Sequence, residues 1–317
     1  EVLAPLPQDS HDFLLRSSIL RPLTVDLAQA ALSRADAADQ LRTLAERLPM
    51  LVTSLDGDGA YRYHGLLVDF LGQVLRRDVA TYRAAHLAAG HAQTTRGALV
   101  EAVQHYIEAD RPDEAAAVAV RAVDQLYETG RWDTIARIFE QLPPNARTPE
   151  LLLAEALRLK EQGDNEAALL LLTEVETHGD PRSQIMARTR RANMWGLQGR
   201  HQPALDLFRD ALYATDPVDL ILMAEVHRGM GRAYYGLGEN ASAIEHFEIA
   251  LRLFEEAGSA TNVAHLHHEI GSVQSDIGRL DAAFASYQRA LAHWDATNAT
   301  GWRLITLNNI ADLYYTQ

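Results

Sequence analysis

A recurring helical hairpin is the feature of this sequence that most constrains its fold. The clearest copy runs from Ala224 to Leu251 and is predicted to be two helices joined by a short turn. Small residues let two helix backbones approach closely, and aromatic rings fill the space beside them. A single hairpin leaves an apolar face uncovered, so its neighbours should be of the same kind. The template positions of this copy are Gly231, Tyr234, Gly238, Ala243, Phe247 and Ala250.

The small residue that begins the template, which we call the anchor, recurs over most of the chain. The anchors are Val123, Ala156, Ala192, Gly231, Gly271 and Ala311, at spacings of 33, 36, 39, 40 and 40 residues. This pattern resembles the tetratricopeptide repeat (TPR), and spacings above 34 imply longer loops or extra helical turns. The resemblance implies a right-handed superhelix of hairpins. The last repeat is expected to be truncated, because the sequence stops at Gln317.

Composition agrees with helix packing and excludes several classes of site. Hydrophobic residues make up 47% of the chain but aromatic residues only 7%, which suits contacts between alanine and leucine. No cysteine is present, so disulfides and cysteine-ligated metals are excluded. No apolar run is long enough for a membrane span, and no signal peptide is visible, so a cytoplasmic location is expected. We expect the chain to be a fragment, since it begins with Glu1.

The first 77 residues do not follow the repeat and predict a different domain. Three short helices are expected within residues 9–48, interrupted by Pro22 and Pro49. Two short strands are expected at residues 50–55 and 61–63, on either side of the turn-forming sequence DGDGA. A fourth helix follows from about His64 to Arg77. Three helices, a two-stranded wing and a helix make a winged helix-turn-helix.

The charge of this domain argues against direct DNA binding. Residues 1–77 contain eight arginines and ten acidic residues. The helix that would read DNA, residues 36–48, carries Arg42 and Arg47 against three acidic residues. Phosphate contacts supply much of the affinity for DNA, and the net charge of −14 opposes them. A DNA-binding regulator therefore stays the weakest of the functions considered.

The sequence FLLRSSIL, together with YRYHGLLVDFL, resembles the winged helix of the signal transduction ATPases with numerous domains (STAND), closest to their MalT-like branch. The resemblance implies a nucleotide-binding domain upstream and ATP or ADP as cofactor of the parent protein. It places Tyr63, His64 and Gly65 at the family's Met-His-Asp motif, of which only the histidine matches. His64 would then contact a phosphate of ADP in the resting state. The fragment itself has no phosphate-binding loop, so we expect it not to be an enzyme.

These patterns predict three regions in a mainly α fold. They are a winged-helix domain at residues 1–77, a helical connector at 78–145 and a TPR-like sensor array at 146–317. The best boundary between connector and sensor is the sequence QLPPNARTPE, because Pro143 and Pro144 interrupt helix.

The concave side of a repeat array is lined by the first helix of each hairpin. Polar residues at those positions would suit a small polar molecule or a peptide. Arg228 and Arg232 lie four residues apart and could hold an anion. No metal site is expected there, since His267 faces away from its neighbours His265 and His268. The candidate groove residues are Asn193, Arg228, Arg232, Tyr235, His265, His268 and Asn308.

Two hypotheses follow for the function. In the first, an inducer binds the groove and weakens the hold of the winged helix on an ADP-bound nucleotide domain, after which the parent protein self-associates. In the second, the chain is a TPR scaffold for partner proteins without a nucleotide switch. Neither requires a membrane or direct DNA binding by the fragment.

Overall fold

The structure, a computed structural model, describes residues 6–55, 59–128 and 130–315. It forms two compact units, residues 1–158 and 159–317. The described chain is mainly α-helical with one small sheet, so the predicted fold class is confirmed. None of its described helices combines the length and apolar character that crossing a bilayer requires.

The winged helix is built from four helices and three short strands. They are α1 (Gln8–Ser17), β1 (Leu23–Thr24), α2 (Val25–Leu32), α3 (Ala37–Arg47), β2 (Val52–Leu55), β3 (Ala60–Tyr63) and α4 (Gly65–Arg77). The strands pair antiparallel in the order β1-β3-β2. Strand β1 was not predicted, because two residues are too short to show an alternating pattern. Of the predicted DGDGA turn, residues 56–58 lie outside the described residues.

Local chemistry explains where these helices begin. The hydroxyl of Thr24 accepts a hydrogen bond from the backbone N–H of Leu27 at 3.2 Å and so caps α2. Arg34 joins α1 to the start of α3, because its guanidinium donates to Asp9 at 2.7 Å and to Asp36 at 2.5 Å. The hydrogen bond from Arg34 holds the pKa of Asp36 well below its usual value.

The rest of the first unit is a run of helices. They are α5 (Val79–Thr95), α6 (Leu99–Glu108), α7 (Pro112–Glu128), α8 (Trp132–Gln141) and the first part of α9 (Pro149–Glu161). A short 3-10 helix, Pro144–Ala146, separates α8 from α9 at the predicted proline break. The predicted region boundaries at residues 77 and 145 stay predictions.

Helices α5 and α6, which lie in the predicted helical connector, form a hairpin in the same register as the repeats. Its six template positions are Gly90, Gln93, Gly97, Ala102, Tyr106 and Ala109. Gly97 has a positive φ of 77° and Gly238 one of 78°, a conformation that favours glycine at the end of a helix. The hairpin pattern therefore begins directly after the winged helix.

Helix α5 packs against both the winged helix and the other helix of the first hairpin, α6. Ala89 and Ala92 are buried in the winged-helix core, which also contains Phe13, Leu41 and Leu71. On the same helix, Gly90 packs against the ring of Tyr106. These two structures are therefore joined by a shared helix rather than by a linker.

The second unit is a series of helical hairpins. Its helices are α10 (Asn165–His178), α11 (Pro181–Leu197), α12 (His201–Ala214), α13 (Leu220–Gly236), α14 (Asn240–Glu256), α15 (Ala260–Asp276), α16 (Leu280–Ala296) and α17 (Thr300–Tyr315). Ala243, Phe247 and Ala250 of α14 are fully buried, as the template predicts. A Cβ on Gly231 would lie 2.5 Å from the ring of Phe247, so only glycine allows this approach.

Candidate functional site

The polar centre of the second unit is a carboxylate held by two arginines. Arg228 of α13 donates to Glu269 of α15 through Nε at 3.0 Å and through Nη2 at 2.5 Å. Arg232, one turn later on α13, donates to the same Oε1 through its Nε at 3.1 Å. The Arg228 side chain is 15% exposed and that of Arg232 is 49% exposed. Glu269 thereby joins the first helices of two successive hairpins.

The charge on Glu269 depends on these arginines. Burial of its carboxyl opposes ionisation, but the positive charges of Arg232 and Arg228 outweigh that effect and lower its pKa. Their spacing in the sequence predicts that Arg228 and Arg232 could hold an anion. The structure places a carboxylate there from the chain itself, 41 residues after Arg228.

A second polar pair extends the same surface. The hydroxyl of Tyr235 donates to the carboxylate of Asp276, so α13 and α15 are joined again two turns further on. Burial and the neighbouring carboxylate raise the pKa of Tyr235 to about 12. Tyr235 is therefore a neutral hydrogen-bond donor at physiological pH.

The predicted histidines lie among aromatic rings. His265 lies between two tryptophans, with ring centroids 4.8 Å from Trp294 and 4.4 Å from Trp302. Burial lowers the pKa of His265 to about 4, so its ring is uncharged at neutral pH. Its Nδ1 and the Nε1 of Trp294 are both buried and have no hydrogen-bond partner among the described residues.

His268 is fixed by α17. Its Nδ1 lies 3.1 Å from the Thr306 hydroxyl, and its Nε2 lies 3.4 Å from the side-chain amide of Asn309. The predicted Asn308 is exposed, because one residue along a helix turns the side chain by about 100°. Asn193 is half-buried on α11. Within the described residues, no group of three or more histidine and acidic side chains could hold a metal ion.

His64 lies at the surface of the winged helix. It is the N-cap of α4, where its Nδ1 accepts a hydrogen bond from the backbone N–H of Leu66 at 3.3 Å. The backbone N–H of His64 donates to the carbonyl of Leu51 at 2.8 Å, which fixes the residue beside the wing. Leu66 is 74% exposed and Phe70 is 51% exposed on the same helix. An exposed histidine therefore borders an exposed apolar stripe.

Part of the positive charge in and beside α3, the predicted DNA-recognition helix, is already paired with acidic side chains. Arg42 of α3 forms an ion pair with Asp39 on its own helix. Arg34 beside the start of α3 is bound by Asp9 and Asp36. Paired arginines have less charge available for phosphate.

Models of known families match both the winged helix and the repeats of the chain. The model of the MalT winged helix domain matches residues 1–83. A tetratricopeptide repeat model matches residues 221–296. Among curated proteins, none matches the chain.

The fold of the chain is similar to that of many solved structures. A STAND protein with a tetratricopeptide repeat sensor from Pyrococcus horikoshii has a TM-score of 0.81 at 15% identity, over 99% of this chain and 48% of that one. The chain thus spans about half of that protein. The APC/C hetero-tetramer Cut9-Hcn1 gives 0.52 at 15% identity, over 88% of this chain and 52% of that one. A tetratricopeptide repeat protein from Parabacteroides merdae gives 0.50 at 16% identity, over 89% and 97%.

At these identities the solved structures establish the fold alone. The two family models identify a MalT winged helix domain at residues 1–83 and tetratricopeptide repeats at residues 221–296. Together with the shared fold, they confirm the predicted resemblance to a MalT-like STAND protein with a repeat sensor. The chain carries a MalT winged helix domain and tetratricopeptide repeats, in a fold shared with a STAND protein that has a repeat sensor.

Proposed function

We propose that this chain is the regulatory and sensor part of a STAND-type signalling ATPase that regulates transcription. The winged helix holds the nucleotide-binding domain of the parent protein in its ADP-bound resting state. The repeat groove binds an inducer, either a small molecule or a peptide. Binding weakens that hold, and the parent protein exchanges its nucleotide and self-associates.

The observation that carries this proposal is the position of His64. It is exposed at the start of α4 beside the exposed side chains of Leu66 and Phe70. An imidazole can donate a hydrogen bond to a phosphate oxygen, and the apolar stripe can pack against a neighbouring domain. This combination suits a surface that closes over a bound nucleotide in another domain.

The test is the nucleotide content of the full-length parent protein. ADP released on denaturation is measured for the wild type and for His64→Ala. His178→Ala is the control, because His178 is also exposed and lies at a helix end. We expect nearly one ADP per chain in the wild type and the control, and a clear loss in His64→Ala.

Other results would change the proposal in defined ways. Equal ADP in wild type and His64→Ala would keep the ATPase and remove His64 as its sensor. No nucleotide in the wild type would remove the switch. The TPR scaffold would then be favoured, because it needs only the tetratricopeptide repeats of the chain and no nucleotide.

A further inference from the structure

A cavity in the first unit has a lining that neither the switch nor the repeat groove uses. It is an open cleft of about 460 Å³ between the segment that follows α1, helix α4 and the first hairpin, α5–α6. Ser18, Ile19 and Arg21 line it from the segment that follows α1, and the other lining residues come from α4 and from the two hairpin helices. Its size is in the range of small-molecule sites. The helix shared by the winged helix and the first hairpin borders it.

Gly72 keeps the α4 wall open. It lies in the interior of α4, where glycine is less favourable than alanine. Apart from its chain neighbours and the nearby backbone of α4, no heavy atom of the described residues would lie within 4 Å of a Cβ at Gly72. Close packing therefore does not require glycine here, in contrast to Gly231, whose Cβ would overlap the ring of Phe247. The absent side chain leaves space in the cavity.

A pair of buried histidines forms part of the lining. His86 of α5 and His105 of α6 are each 7% exposed, and their Nδ1 atoms lie 3.0 Å apart. Burial lowers the pKa of each to about 4, so both rings are neutral at neutral pH. One Nδ1 must donate to the other, so the two rings are opposite tautomers. One Nε2 is then an N–H donor, and the other Nε2 is an acceptor.

The charged groups of the cavity are of both signs. Glu101 and Glu108 lie on α6, and Asp69 lies on α4. The Cζ of Arg76 on α4 lies 5.5 Å from the ring centroid of Tyr82, and Arg21 lies in the segment between α1 and β1. The hydroxyl of Tyr82 donates to Glu108 at 2.5 Å, so Glu108 is already partly satisfied. Carboxylates can bind an ammonium group, and guanidinium groups can bind a carboxylate.

We propose that this cavity binds a small zwitterion of the amino-acid type, with its ammonium group toward Glu101 and its carboxylate toward Arg21. A lone cation would meet two arginines, and a lone anion would meet three carboxylates. A molecule that carries both charges satisfies both sets. It would contact α4 and α6 together and so stabilise the joint between the winged helix and the first hairpin.

The experiment measures binding of single L-amino acids to the full chain by calorimetry and thermal shift. No nucleotide is needed, so the result is independent of the proposed switch. Gly72→Leu puts a side chain into the cavity. Gly196→Leu is the matched control, because Gly196 is also a helical glycine whose added Cβ would meet open space among the described residues.

We expect at least one amino acid to bind the wild type and Gly196→Leu, and Gly72→Leu to lose that binding. Glu101→Gln keeps the volume but removes one charge, and should weaken binding about tenfold or more, as the loss of a charge-assisted hydrogen bond implies. Failure of every amino acid to bind would overturn the proposal. So would binding that survives in Gly72→Leu, or equal binding by an amine or a carboxylate alone.

Discussion

Gly90 and Tyr106 lie so close that a Cβ on Gly90 would stand 3.2 Å from the tyrosine ring. The pair occupies the same template positions as Gly231 and Phe247 in the clearest repeat. A helix of the winged-helix core thus packs against its partner by the same small-against-aromatic contact as the later hairpins. Because this contact needs the absence of a side chain, we expect substitution of a glycine that makes it to differ in effect from substitution of a helical glycine that does not.

Alanine should have opposite effects at Gly231 and Gly72. A Cβ at Gly231 would overlap the buried ring of Phe247, so Gly231→Ala should lower the free energy of unfolding by about 1–3 kcal/mol. Gly72 has open space, so Gly72→Ala should raise it by up to about 1 kcal/mol through helix propensity. Urea unfolding followed by circular dichroism measures both. Equal effects of the two substitutions would contradict the packing.

Removing the charge of Glu269 should destabilise the second unit. Glu269→Gln leaves Arg228 half-buried without a full counter-charge, and we expect a loss of about 1–2 kcal/mol. The control is Asp206→Asn, which removes the partner of Arg209 in an exposed ion pair and should cost less than about 0.5 kcal/mol. Thermal melting compares the two. If both variants melt alike, Glu269 is not a structural link.

The buried histidine pairs should make stability fall in acid. His227 and His246 repeat the geometry of the first pair, with Nδ1 atoms 2.9 Å apart, and burial lowers the pKa of His227 to about 4. As the pH falls, His227 binds a proton near pH 6.5 in the unfolded chain but only near pH 4 in the folded chain. The stabilisation is therefore complete above about pH 6.5 and decreases as the pH falls toward 4.

The matching measurement is the melting temperature against pH. Between pH 6.5 and 4, the melting temperature of the double variant His227→Gln with His246→Gln should fall less steeply than that of the wild type. His178→Gln, at an exposed position, should retain the wild-type slope. A slope unchanged in the double variant would show that this pair does not bind protons on unfolding.

The winged helix should need α5 to fold fully. A chain of residues 6–77 lacks Ala89 and Ala92, which are buried in its core. We expect it to melt at a lower temperature and less cooperatively than a chain of residues 6–110, which retains the whole first hairpin. Circular dichroism and amide chemical shifts distinguish them. Identical melting of the two chains would mean that α5 only lies against the domain.

Much of the architecture was predictable because it depends on local spacing. The small, aromatic and glycine positions around Gly231 report helix faces and helix ends, and those follow from residues close in sequence. The winged helix was likewise visible from its prolines and from the wing. The hairpin at Gly90 carries the same signal, with a turn glycine seven residues after the anchor, within the region predicted as a helical connector.

The partners across helices were not predictable in the same way. Helical spacing shows that Arg228 and Arg232 share a face, but not that Glu269 from the next hairpin meets them. One residue of register separates the exposed Asn308 from Asn309, which reaches His268. The contact between His86 and His105 depends on how two helices pack, and no local pattern reports it.

A helix that belongs to two cores limits how such proteins can be recombined. A chimera cut at Arg77 would give the winged helix a foreign α5 and expose the surface that Ala89 and Ala92 cover. A cut after Ala109 keeps the shared helix and its partner together. For the exchange of repeat arrays between relatives, the unit to transfer is therefore the winged helix together with its first hairpin. The cut belongs after α6, one hairpin later than the change in sequence pattern suggests.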